Sequence, residues 1–175
     1  MLFSDRSILT MIHGLVLSGG ALILLIVALV SLRTIPAGNE APANGSAKTF
    51  AWVTTAAAIF LWLAVIGGTY IVFPLYRATP PEGLTQLAEY PRALLLGDPQ
   101  SRWLHSFGME IKEHMPWIAA MLTTAAAFIA RSYSTTLAGN ASLRRVAGSM
   151  LGASVIIVAS VALLGVFINK VAPLW

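Results

Sequence analysis

Cysteine is absent from the 175-residue sequence. That excludes disulfides, thiolate metal sites, iron–sulfur ligation by cysteine, thioether-linked haem and cysteine nucleophiles. Charge is scarce too. Only 10% of the residues are charged, against about a quarter in an average soluble domain. So few polar groups cannot coat a water-soluble globule. No basic run exceeds Arg144-Arg145 and no phosphate-loop glycine pattern occurs, so no nucleic-acid partner is expected. Net charge is +4 and there are three histidines. What the chain does have is apolar sequence, 57% hydrophobic with mean hydropathy +0.78, which places it in the membrane class.

A hydrocarbon core of about 30 Å takes about 20 apolar helical residues. Stretches at about 8–32, 50–75, 103–131 and 146–169 meet or approach that length. The third is the shortest in apolar residues, and the helix-like segment before it extends it. The expected fold is therefore all-α: four transmembrane helices in one up-and-down bundle spanning residues 1–175. The first stretch has Arg6 before it and "APA" at Ala41 to Ala43 behind it, as a signal peptide would. Its apolar run is about 24 residues, longer than the 7–15 of a signal core, and it is read as a span.

The connections differ. Residues 33–49 and 132–145 are short and polar or rich in small residues. Residues 77–113 form a long loop that opens with the helix breakers Pro80, Pro81 and Gly83. Leu84, Leu87, Leu94, Leu95 and Leu96 then give it the pattern of short amphipathic helices at a membrane interface. Four spans put both termini and this loop on one side. Six basic residues lie there and five on the other side, the latter packed into two short loops. Short-loop density favours the second side as cytoplasmic, so the termini and long loop are expected outside. The expected setting is a prokaryotic plasma membrane.

Small residues supply the packing signals. Gly148 and Gly152 form a GxxxG pattern, and Gly19-Gly20 and Gly67-Gly68 interrupt the first two spans. Trp52, Trp103, Trp117 and Trp175 sit near span ends, as an aromatic belt would; Trp62 is near mid-span. The triplets at Asn44 and Asn140 match the glycosylation pattern, which is common by chance.

The histidines are His13, His105 and His114. His13 lies about one and a half turns into the first span, and His114 lies at the start of the third. Both spans leave the long-loop side, so the two imidazoles are expected at similar shallow depth. Two histidines at matched depth on neighbouring helices suit a six-coordinate haem. Haem also needs small residues against its plate and cations for its propionates. Gly20, on the face of His13, and Gly68, near its depth, fit the first need. Arg77, Arg102 and Lys112 fit the second. His105, nine residues before His114, falls on the opposite side of a straight helix, and Pro116 can re-aim it. It is the alternative partner of His13. Glu110 and His114, one turn apart, could bind a non-haem metal, but no core carboxylates complete a di-iron pattern.

With its histidines near one end of several spans, the layout resembles the small membrane cytochrome b subunits that anchor respiratory oxidoreductases. The resemblance covers the four spans and carries over His13 and His114. It implies a haem b (iron) subunit passing electrons between a quinone or haem and a partner subunit, catalytic only within a larger complex. A quinone is then a second candidate cofactor. Two other readings stay open: a cofactor-free structural subunit of a respiratory or photosynthetic complex, and a chlorophyll-binding subunit. No span carries a charge at its midplane, which argues against a transporter.

Overall fold

The computed structural model describes residues 4–36 and 44–173, apart from the side chain of Asn44. The Ala41 to Ala43 motif, Trp175 and the Asn44 side chain thus lie outside the described residues. Every regular element among the described residues is helical. Three helices are long and apolar enough to cross a membrane: α1 (Asp5–Arg33), α2 (Gly45–Arg77) and, at the C-terminal end, α5 (Ala141–Val171). Between α2 and α5 come the short α3 (Pro91–Gly97) and the long α4 (Glu110–Ser132). A π-helical segment, Leu104–Met109, leads into α4.

The long helices pack as a ring in which α1 touches α2 and α5, and α4 touches α2 and α5. α4 is the least apolar member. Glu110 and Glu113 occupy its first turn, and its core face is built from Ala and Thr. Those residues suit it to contact other helices more than lipid.

Small side chains set how closely the ring closes. On α4, Ala119, Ala120, Thr123, Ala126, Ala127 and Ala130 are buried at helical spacing. Ala21 and Ala28 of α1, Ala57 of α2, and Leu151 of α5 are fully buried opposite them. The outer surfaces expose Leu15, Ile23, Ile59, Ile156 and Val166, the reverse of a soluble protein and the pattern that lipid requires. Gly148 would carry a Cβ 3.4 Å from Leu32, whereas Gly152 has nothing within 4 Å. The GxxxG pattern is therefore only half used inside the chain. Trp62 packs across to α4, its ring 5.7 Å from Trp117 and its Nε1 donating to Thr124 Oγ1 at 3.0 Å.

The ends carry the expected capping chemistry. Ser4 accepts from the Ser7 amide at the start of α1. Asn140 Oδ1 accepts from the Leu143 amide at 2.9 Å, capping α5. Between Ala78 and Ser101, helix forms only over Pro91–Gly97. Leu84 and Leu87 lie outside it, in a stretch broken by Pro80, Pro81 and Gly83, whose φ is +80°. Pro91 instead starts α3, where its missing N–H costs nothing. Arg6 gathers this end: its Nε pairs with Glu89 at 3.4 Å, and an Nη donates to the carbonyls of Ala88 and Pro173. The N-terminal segment, the long loop and the C-terminal segment thus meet at one end of the bundle.

Candidate functional site

Among the described residues, three π-helical segments interrupt the helices: Ile12–Gly19, Gly68–Val72 and Leu104–Met109. All three lie toward the long-loop end. π-segments widen the turn, cost backbone hydrogen-bond quality and concentrate at functional sites. Here they carry His13, Gly68 and His105. The Ser18 hydroxyl donates to the His13 carbonyl five residues back, at 2.9 Å.

Inside the ring, one layer draws on all four long helices. A Cβ on Gly68 would stand 2.6 Å from His13 Cε1 and 3.3 Å from each ring nitrogen. Only glycine leaves room for the imidazole there. Lys112 of α4 lies close enough for its charge to act on the same ring, and the Ala64 carbonyl also reaches it. The ammonium of Lys112 sits where a Cβ on Gly165 would be 2.9 Å away. His13 is half-buried, and its Nδ1 is enclosed without a hydrogen-bond partner among the described residues. Lys112 makes no hydrogen bond or ion pair with any described residue. The layer therefore holds an imidazole and an ammonium facing two glycines, with His13 Nδ1 and the Lys112 ammonium unmatched by any described residue.

A second cluster sits nearer the loop. Tyr76 is buried, and its hydroxyl is hydrogen-bonded to His105 Nδ1 at 2.8 Å. Phe73 stacks on Tyr76 at 6.1 Å, and the Arg77 guanidinium lies 5.4 Å from the Phe73 ring centre. The charges of Arg92, Arg77 and Glu110 act on His105, and that of Glu113 on Tyr76. Arg92 Nε is enclosed without a partner.

The remaining candidates are placed elsewhere. His114 is on the outside of α4, its side chain 72% exposed. Its Nδ1–H donates to the Glu110 carbonyl at 2.8 Å, leaving Nε2 directed away from its own backbone. The structure thus joins His13 to Gly68 and Lys112 rather than to His114, and no interaction among the described residues links the two rings. Gly20 does not clear space for a plate: a Cβ there would lie 2.9 Å from the Phe60 ring, so it seats α2 against α1. Arg102 is committed to the Leu96 carbonyl, at 3.2 Å from one Nη. Glu110 and His114 gather no third ligand, and no group of three metal-ligating side chains occurs among the described residues.

Tyr76, Arg92 and Gly165 were not singled out from sequence as site residues. Tyr76 carried a usable signal, a tyrosine in the last turn of an apolar span at the end where the histidines gather. Arg92 carried none, because its position depends on how the loop folds back. No protein-family model, curated protein or solved structure matches the chain.

Proposed function

We propose that the chain is a four-span integral membrane subunit of an electron-transfer complex that would hold haem b at the long-loop end, with His13 as a ligand of its iron. One observation carries the reading. An enclosed imidazole with an unmatched nitrogen lies over a glycine, beside an unpaired lysine. That donor set fits the group: an imidazole for iron and a cation for a propionate. When bound, haem supplies a one-electron couple. His13 would hold it from α1, and Lys112 would offset negative charge in a poorly solvated place, while Gly68 and Gly165 give the imidazole and the ammonium their room. His105 or His114 would supply a second ligand, His114 only after its ring turns inward.

α4 is the fourth span in this reading, its charged first turn lying at the interface. The chain would act with partner subunits, exchanging electrons with them and with a quinone. The long loop and both termini face outward from a prokaryotic plasma membrane.

A reduced-minus-oxidised spectrum of the purified protein tests this. The expected result is a haem b α-band that disappears in His13→Ala. Its loss in His114→Ala but not His105→Ala would identify His114 as the second ligand, and the converse would identify His105. A colourless protein would overturn the reading and leave a packing subunit. A red chlorophyll-like band would replace haem with a pigment.

A further inference from the structure

The unmatched arginine of the loop-side cluster points to a second ligand, distinct from the one at His13. Arg92 is half-buried and has no hydrogen bond or ion pair with any described residue. Its Nε is enclosed, while its terminal nitrogens are not among the enclosed atoms. An arginine whose inner nitrogen is enclosed and whose outer face is unpaired can receive an anion there. Arg77, held over Phe73, and His105 stand in the same cluster. When the Tyr76 hydroxyl donates to His105 Nδ1, the Nε2 of that ring carries the proton and becomes a third donor.

The cluster lies where α2, an apolar helix long enough to cross a membrane, ends at Arg77. Phosphate groups of lipids concentrate at that depth. Neighbouring turns expose Tyr70, Ile71, Trp103 and Phe107, large apolar groups for acyl chains to cover. Glu110 and Glu113 approach the cluster from the α4 side and disfavour an anion there. The arginines come from α2 and α3, which leaves their side as the face for a negative group.

We propose that Arg92 and Arg77 bind the phosphate of an anionic phospholipid, fastening the long loop to the outer end of the bundle, with His105 as a further donor when its Nε2 is not engaged by iron. The inference does not depend on haem, and its readout is separate from colour.

Lipid-depleted protein in neutral detergent would be titrated with phosphatidylglycerol, phosphatidylcholine or inorganic phosphate, and bound lipid counted by native mass spectrometry. Phosphatidylglycerol is expected to bind most tightly, and Arg92→Gln to weaken it by roughly tenfold or more, the loss of a charge-assisted contact. Arg145→Gln, at the other end of the bundle, should leave it unchanged. Equal binding of phosphatidylcholine, or unchanged retention by Arg92→Gln, would overturn the proposal. Inorganic phosphate competing at equal concentration would also overturn it, by assigning the site to a soluble anion. Should Arg92→Gln not fold, Arg77→Gln and Arg92→Lys carry the same comparison: binding undiminished in Arg77→Gln would overturn the proposal, and a partial loss in each would support it.

Discussion

In the half of the bundle near the short loops, Thr54, Thr123 and Ser154 are fully buried, yet each hydroxyl donates to a backbone carbonyl one turn back. In the half near the long loop, His13 Nδ1 and Arg92 Nε are enclosed with no acceptor or donor opposite, and Lys112 has no counter-charge among the described residues. The helices are α-helical throughout the first half and broken by π-segments in the second. A buried polar group normally finds a partner, because leaving it unmatched costs about 1–3 kcal/mol. One half obeys that rule with alanine-tight packing. The other departs from it at several positions close together. Packing needs explain the first half. They do not account for the unmatched groups of the second.

The sharpest way to test the contrast is to add volume. Ala120 is fully buried on the α4 face, so Ala120→Leu must push a neighbouring helix aside. The expected loss is about 3 kcal/mol, the upper part of the usual overpacking range, read as unfolding in mixed detergent micelles with rising dodecyl sulfate. A loss below about 1 kcal/mol would show that this half is not close-packed.

Removing charge should act with the opposite sign at the other end. Lys112→Met keeps the length of the side chain and deletes an ammonium that has no partner. In cofactor-free protein it is expected to stabilise by about 1–2 kcal/mol, since an unpaired charge in a poorly solvated site is costly. With haem bound, the gain should shrink or reverse if Lys112 pairs a propionate. The same micelle titration on both forms decides it. Destabilisation of the cofactor-free protein would mean that Lys112 has a structural partner, and the contrast between the two halves would fail.

Hydropathy made the long helices legible, because α1, α2 and α5 are apolar over more than a membrane thickness. They run a few residues past the expected bounds, for flanking polar residues can extend a helix that apolar residues nucleate. The approach of His13 to Gly68 could be anticipated from depth alone, since both lie near the same ends of adjacent helices. The facing of His114 could not. Depth along a helix follows from counting residues, but direction around it follows from the turn, and π-segments alter the turn at His13 and ahead of α4. Gly20 shows a related limit: a glycine on the expected face marks a close approach, but sequence does not say whether a cofactor or Phe60 makes it. Arg92 was hidden for another reason. Its neighbours come from α2 and from the turn before α4, and no local pattern encodes that fold-back.

The smallest expected effect probes whether the satisfied half is as redundant as it looks. Thr123 Oγ1 bonds the Ala119 carbonyl at 2.8 Å and Ser154 Oγ at 3.1 Å. Thr123→Val keeps the shape and removes both bonds. The single Ser154 hydroxyl hydrogen would still find the Met150 carbonyl at 2.9 Å or the Ala119 carbonyl at 3.2 Å, so that hydroxyl is not orphaned. The cost should then be only that of one interhelical hydrogen bond in a membrane protein, about 0.6 kcal/mol. A loss near 2 kcal/mol would mean that the hydroxyls act as one cooperative network. A gain in stability would mean that Thr123, too, is kept for something other than packing, and the line between the two halves would have to move.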